Sequence, residues 1–432
     1  RGLMNPGKIV NPGKMDDASL FRFKPGYATR AAPTVLEWGE WGGYDKAVEM
    51  CNNNGHCRKF DAGTMCPSYR ATRDEAHLTR GRANTLRLAL SGQLGEAGDE
   101  AVRSALDLCV SCKGCKRECP TGVDMARMKL EFLARYKREH GYSLRDRAIG
   151  YLPRYARFAA RLAPLANLGT ALAKTAIGFA ADRQMPRWRS DYFQDTGDQD
   201  GDVILFVDTF NRYHEPENAR AAVRVLRAAG YRVHAPAGLC CGRTFLSVGM
   251  VDEAKREARH MLEVLGEAAK RGVPIVGLEP SCLLSLRDEY PVLMHGAEAL
   301  ARNSFLFEEF LAQRPGRLKF RETNQEVLLH GHCHQKAFDA MPAVHKVLGM
   351  VPGLSVRTVE TSCCGMAGSF GYEAEHAEVS RQMAEMSLLP AIRDAPQAML
   401  VADGTSCRHQ IADGTGRQAL HVARLLEASL DG

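Results

Sequence analysis

The densest chemistry in the sequence is the run CVSCKGCKRECP, which spaces Cys109, Cys112, Cys115 and Cys119 as C-x2-C-x2-C-x3-C before Pro120. Three thiolates at that spacing wrap one corner of an iron–sulfur cubane, and in two-cluster proteins the Cys before Pro crosses to the other cluster. Structural zinc sites use two separated pairs of ligands, so zinc fits this run poorly. Upstream, CNNNGHCRKFDAGTMCP supplies Cys51, Cys57 and Cys66 before Pro67, with Asn54 where the middle thiol of a second run would stand. The crossing rule assigns Cys109, Cys112, Cys115 and Cys66 to one [4Fe–4S] cluster. Cys51, Cys57 and Cys119 then form a site one thiol short, whose simplest occupant is a three-iron cluster. Two alternatives stay open: Cys119 completes the first cluster by itself, or a nearby His56 or Asp61 supplies the missing ligand, although such polar residues are more often solvated.

A second type of thiol set lies downstream. The strand-like VILFVD leads to Cys240-Cys241-Gly242 and then to GLEPSC ending at Cys282, while VLLHGHC leads to Cys363-Cys364-Gly365 and then to VADGTSC ending at Cys407. Adjacent thiolates can face one metal centre where the chain turns sharply, and glycine permits the turn. Overlaying the two triplets puts Phe210 opposite Cys333. The second half thus offers four thiolates, Cys333, Cys363, Cys364 and Cys407, enough for a cluster or a zinc ion. The first half offers Cys240, Cys241 and Cys282, a weaker site or a contribution to a shared one. His330, His332 and His334 alternate at the end of a predicted strand, which would put all three on one face. There they could tune a metal centre, move protons or simply form a polar rim.

These residues must be held by several modules, because 432 residues exceed one core. With 45% hydrophobic and 25% charged residues, the chain has a globular composition rather than a disordered or membrane one. A net charge of +6 spread over helical segments argues against a nucleic-acid partner. Fourteen Cys without a secretory signal point to metal ligation rather than disulfides, and to a cytoplasmic setting. The pattern predicts a turn-rich linker over 1–40, a small helical metal-binding unit over 41–140 and amphipathic helices over 141–200. Two α/β halves with buried parallel strands follow over 201–323 and 324–432. The most apolar stretch, from about 158 to 181, is interrupted by Arg161, Pro164 and Lys174, so surface packing or peripheral contact with a membrane is expected rather than a span.

The CCG repeat with ferredoxin-like Cys sets resembles the iron–sulfur subunits of glycolate oxidase and anaerobic glycerol-3-phosphate dehydrogenase, and the cysteine-rich subunit of heterodisulfide reductase. CNNNGHCRKFDAGTMCPS, CVSCKGCKRECPTGVDM and LHGHCHQKA more specifically resemble the C-terminal half of fused flavin and iron–sulfur enzymes of the D-lactate and D-2-hydroxyglutarate dehydrogenase type. The opening Asn-Pro-Gly-Lys turns look like the tail of their flavin-oxidase domain. The resemblance implies an all-α ferredoxin-like two-cluster domain, then a tandem CCG repeat with parallel sheets. It also implies FAD in an upstream domain that takes hydride from a D-2-hydroxy acid, while this chain passes electrons to a quinone, a cytochrome or an electron-transfer flavoprotein. The alternative is a heterodisulfide-reductase-like catalytic subunit. Many CCG sequences carry a fifth Cys soon after the last one, where this chain has Ser285 and Gln410, and that departure disfavours a five-thiolate cluster.

Overall fold

A computed structural model describes residues 27–60, 63–195 and 201–431. Residues 1–26, with both Asn-Pro-Gly-Lys turns, and Asp61 lie outside the described residues. The helical unit consists chiefly of α1 (Pro67–Thr72), α2 (Thr79–Leu90), α3 (Gly98–Asp107), α4 (Gly114–Glu118) and α5 (Met125–His140). Cys66 takes the extended position before α1 and Pro67 the first helical one, where its missing N–H costs nothing. Asp124 starts α5 by accepting from Arg127 N at 3.1 Å.

The segment before this unit departs from a plain linker. Buried Glu131 of α5 accepts from Val35 N, Leu36 N and Trp38 Nε1 at 2.8, 3.1 and 2.9 Å. A carboxylate taken out of water needs such donors, and the chain from 35 to 38 supplies them, so it packs as part of the helical unit.

Three short helices follow, α6 (Leu144–Gly150), α7 (Leu152–Arg161) and α8 (Ala163–Ala173). Ser143 and Asp146 close a reciprocal cap on α6. Ala156, Ala163 and Trp188 form a small core beneath α7 and α8.

Beyond 201 the chain builds two parallel sheets. The first has the order β2-β1-β3-β4, with β1 Val203–Phe206, β2 Val233–His234, β3 Ile275–Gly277 and β4 Ser304–Leu306. The second has the order β6-β5-β7, with β5 Glu326–Leu329, β6 Ser355–Thr358 and β7 Met399–Val401. Ile204 pairs with Ile275, and Val327 with both Val356 and Met399. Buried Val, Ile and Leu on the central strands β1 and β5 are what parallel sheets require. The spacing from Val203 to Glu326 equals that from Cys240 to Cys363, so sheet and thiols repeat together. One hydrophobic cluster joins Leu205, Val276 and Phe310 of the first half to Val327, Leu329 and Val401 of the second, which fuses the halves into one body. α9 (Thr209–Tyr213) follows β1 without a thiol, while the thiols of the two halves sit just past strand ends, in the segments that follow β2 and β6 and on α10 (Pro280–Asp288), α11 (Cys333–Ala337) and α12 (Thr405–Thr415).

His376 ties the helical unit to the second half, with Nε2 3.0 Å from Asp107 and Nδ1 2.9 Å from Glu373. Burial works against its charge, yet the two carboxylates hold the imidazolium up to about 9, above the usual 6.5. A raised folded value stabilises fully below the unfolded pKa and is lost as pH rises through the folded one. His376→Gln should therefore cost on the order of 1 kcal/mol at pH 6, allowing for the exposure of Asp107, and almost nothing above pH 9 to 10. Unfolding midpoints of both proteins across that range check it; a pH-independent difference would contradict it.

Candidate metal centres

All fourteen Cys are free thiols, thirteen of them buried. Cys66, Cys109, Cys112 and Cys115 line one small cavity together with Arg82 and Met125, and Cys119 is not among its walls. The loop carrying them is bent by two non-glycine residues in the left-handed region, Ser111 at φ 48° and Lys113 at φ 59°. A Cβ at Gly114 would stand 2.9 Å from Met65 N, so only glycine lets α4 approach the 64–66 loop closely enough to bring Cys66 in. Burial pushes the Cys66 thiol up, against the pull of Arg82 and Thr79. It pushes Cys112 and Cys115 well above their usual range, and neighbouring thiols add to the effect. Cys66, Cys112 and Cys115, buried thiols that resist ionising alone, are a poor resting arrangement in water but a fitting one around a cationic centre that binds thiolates.

Cys51 and Cys57 are buried side by side, with Cys57 also next to Cys66 and its thiol pushed up to about 11 by burial. Between them the chain loops outward: Asn54 accepts from His56 N at 2.8 Å and donates to Asn52 Oδ1 at 2.6 Å, and both Asn54 and His56 are exposed. The Asn54 side chain is thus engaged within its own loop. Asn54→Ala is expected to leave the iron content unchanged, and loss of a cluster's iron on analysis would put Asn54 among the ligands. Cys119 is half-buried against the same core, its Sγ 3.3 Å from Thr121 Oγ1.

In the second half Cys333 opens α11, Cys363 and Cys364 lie in the turn after β6, and Cys407 is in the first turn of α12. Cys363 is in hydrogen-bonding contact with Cys333 and Cys364, and Cys364 also with Cys407 and His330. His330, Cys364 and Cys407 can place one donor atom each within 4.8 Å of one another. Gly365 has φ 87°, and a Cβ there would collide with the Ser380 carbonyl, so the turn that aims both thiols inward needs glycine. Lys336 is half-buried beside this set and donates to the Thr361 carbonyl and hydroxyl at 2.7 Å each. Desolvation lowers its pKa while Cys333, Cys363 and Cys407 oppose that, so a cation stands ready to offset thiolate charge.

The three histidines correct the strand expectation. β5 ends at Leu329, and His332 caps α11 by accepting from His334 N at 3.1 Å through Nδ1. The helix start breaks the alternation, so the three rings do not share one strand face: His330 reaches Cys364, whereas His334 Nε2 lies 3.1 Å from the Ser111 carbonyl.

In the first half Cys241 contacts both Cys240 and Cys282, and Gly242 at φ 75° plays the part of Gly365. Phe210 occupies the start of α9, where α11 has Cys333. Buried Asp208 beside Cys241 has its pKa raised to about 7, by burial and then by Glu279. Ser285 and Gln410 are held by other groups: Ser285 Oγ donates to Ser281 O at 2.9 Å, Gln410 Nε2 donates to Ser380 O at 3.1 Å and Gln410 Oε1 accepts from Arg183 at 3.1 Å.

The two better-equipped sets meet. Cys112 shares a hydrophobic cluster with Cys333, Cys363, Cys364 and Cys407, and after burial Cys333 is the strongest influence raising its pKa. Ser362 Oγ donates to Thr64 O across the same seam. Buried Lys113 anchors it from the other side, donating to Glu289 at 2.6 Å and to Asp288. Lys113, Lys336 and Arg82 had no signal in the sequence as parts of a site, since a cation among thiols reads equally well as a solvated charge.

Comparison with known proteins agrees with this division. Residues 47–123 match the 4Fe-4S dicluster domain, and 207–287 and 327–412 each match the cysteine-rich domain. The chain is 28% identical to D-2-hydroxyglutarate dehydrogenase of Escherichia coli K12 over 96% of its own length and 46% of that protein. It is 27% identical to one of the subunits of anaerobic glycerol-3-phosphate dehydrogenase of the same organism, over 53% of this chain and 59% of that one. It is also 27% identical to lactate utilization protein A of an Exiguobacterium, over 52% of this chain and 96% of that one. The chain spans about half the length of the D-2-hydroxyglutarate dehydrogenases it matches.

Proposed function

Because the chain carries a 4Fe-4S dicluster domain followed by two cysteine-rich domains, we propose that it is the electron-transfer half of an FAD-dependent D-2-hydroxy-acid dehydrogenase, with D-2-hydroxyglutarate the first substrate to test. The observation that carries this reading is the closeness of Cys112 to Cys333, at the edge where the two best thiol sets meet. Cys66, Cys109, Cys112 and Cys115 would hold a [4Fe–4S] cluster, Cys51, Cys57 and Cys119 a three-iron one, and Cys333, Cys363, Cys364 and Cys407 the terminal centre, with Cys240, Cys241 and Cys282 a weaker site. When bound, such clusters supply one-electron transfer, so the two electrons of a hydride taken up by flavin can leave singly. The protein's own residues keep the thiols dry, shape the turns and set the local charge through Arg82, Lys113 and Lys336. The free thiols fit a reducing, cytoplasmic setting. A heterodisulfide-reductase-like activity is less well supported, because Ser285 and Gln410 stand where a fifth thiol would be needed.

The test uses the full-length enzyme under anaerobic conditions. On mixing with D-2-hydroxyglutarate, flavin absorbance should bleach first and the broad iron–sulfur absorbance afterwards. Flavin bleaching with no change in the iron–sulfur bands would refute the proposal.

A further inference from the structure

The seam between the two cysteine-rich halves holds three ionisable side chains that the thiol sets do not use. Glu308 comes from the helix Phe307–Gln313, which follows β4 in the first half. Asp403 stands two residues past β7, and His421 just before the helix Val422–Ser429, both in the second half. Their exposures are 1%, 1% and 0%, and each can place one donor atom within 4.8 Å of the other two.

The parallel register brings them together. Gly277, the last residue of β3, pairs with Leu306, and Val401, the last of β7, bridges to Leu420. Glu308 and His421 therefore both stand where the chain leaves its sheet for a helix, one from each half. Asp403 holds in the second half the place that Glu279 holds in the first, two residues beyond the strand. Glu279 reaches across the seam from there, accepting from Thr405 N at 2.8 Å, and Asp403 meets Glu308 across it. Phe307, Val401 and Val422 beside these residues belong to the apolar cluster that joins the halves, so the site is dry.

Its charges are not matched by cations. Neither Glu308 oxygen has a hydrogen-bond partner among the described residues, and a buried carboxylate without donors is costly. Burial, and then the charge of Asp403, push the Glu308 carboxyl well above its usual range. Asp403 accepts from neutral groups, Val422 N at 3.0 Å and Gln335 Nε2 at 2.8 Å. Arg408, packed against the same loop, is committed to the Ala402 and Asp403 carbonyls, Thr405 and Glu215.

His421 is oriented as a metal ligand would be. Its Nε2 lies 3.1 Å from the Leu278 carbonyl, which can only accept, so Nε2 carries the proton and Nδ1 the lone pair. A main-chain carbonyl holding the far N–H is what fixes imidazole ligands on metals. Nδ1 faces Asp403 at 3.6 Å, one acceptor against another. Ala423 N donates to Nδ1 at 3.0 Å, and an ion would take that lone pair over.

We propose that Glu308, Asp403 and His421 bind a zinc ion that clamps the two cysteine-rich halves together. Two carboxylates and a neutral imidazole carry the two negative charges that such an ion cancels. Glu308 can bind through both oxygens, so the three side chains offer the four bonds of tetrahedral zinc, whereas magnesium and calcium take roughly six or more oxygens. Zinc bonds of about 2.0 to 2.2 Å to oxygen and nitrogen require only that the three donors close inward. Gln335 links Asp403 to α11, which opens with Cys333, and the chain runs from Asp403 directly into α12 and Cys407. The ion thus braces the second-half thiol set without touching a thiol. Zinc has no redox chemistry, so the proposal stands apart from the electron-transfer reading.

The full-length enzyme, produced in cells supplied with zinc and cleared of loose metal by gel filtration, provides the test. Glu308→Gln should hold one zinc per chain fewer than wild type and unfold at a lower temperature, with iron and acid-labile sulfide unchanged. Glutamine has the shape and neutrality of a protonated Glu308, so a site that merely holds a proton would lose no metal. Cys364→Ser should keep this zinc, which separates it from any metal on the thiols. Anomalous scattering at the zinc edge from wild-type crystals should show a peak between Glu308, Asp403 and His421, and decides the matter even if the variant does not fold. Wild type without zinc, equal zinc in Glu308→Gln and wild type, zinc lost with Cys364→Ser instead, or no anomalous peak at the three residues each overturns the proposal.

Discussion

Cys364→Ala in the full-length enzyme is expected to leave substrate-driven reduction of the flavin within about twofold of wild type while turnover with the physiological acceptor collapses. Cys364 is in contact with Cys363, Cys407 and His330, and these hold its thiol well below the usual range. It is the thiol the others gather around, so its loss should dismantle the terminal centre. Removing an outer partner of a metal ligand costs roughly 10- to 100-fold, and removing the ligand itself should exceed that. On the proposed function hydride transfer takes place outside this chain, so a small dye that draws electrons directly from the flavin should still be reduced. Stopped-flow bleaching, compared with steady-state rates for both acceptors, separates the two steps. Equal turnover of mutant and wild type with the physiological acceptor would mean that electrons leave before the cysteine-rich halves and that their metal is structural.

The second large effect concerns the crossing ligand. Cys66→Ser should abolish the paramagnetic resonance signal of the reduced [4Fe–4S] centre, whereas Cys119→Ser should spare it. The asymmetry follows from the cavity lined by Cys66, Cys109, Cys112 and Cys115, with half-buried Cys119 outside it. Gly114 makes the approach of the 64–66 loop possible, so Gly114→Val should weaken the same signal without touching a ligand. If the signal survives Cys66→Ser and vanishes with Cys119→Ser, the four consecutive thiols form one cluster by themselves.

Much of this arrangement could be read from spacing alone. The cubane run, the Pro after Cys66 and the two Cys-Cys-Gly turns are local signals, because each depends on how a few consecutive residues bend. The parallel sheets were legible for a similar reason, since buried strands write themselves as short apolar runs such as VILF. What stayed hidden is non-local. Nothing near Lys113 in the chain announces Asp288 and Glu289, and nothing near Cys112 announces Cys333; those meetings are made by packing between distant segments. The histidines misled for a different reason: the alternation of His330, His332 and His334 is what a strand would show, but a helix cap at His332 uses the same residues. Phe210 was legible as a missing thiol.

The central claim, that this chain is an iron–sulfur electron carrier whose [4Fe–4S] centre abuts a terminal one, is tested most directly by metal and acid-labile sulfide analysis combined with paramagnetic resonance of the reduced protein. The account predicts iron and sulfide together, with two signals that broaden each other through their proximity. Cys109→Ser should remove one signal and Cys364→Ser the other, each loss sharpening what remains. Zinc without sulfide, or two signals indifferent to one another's removal, would contradict it.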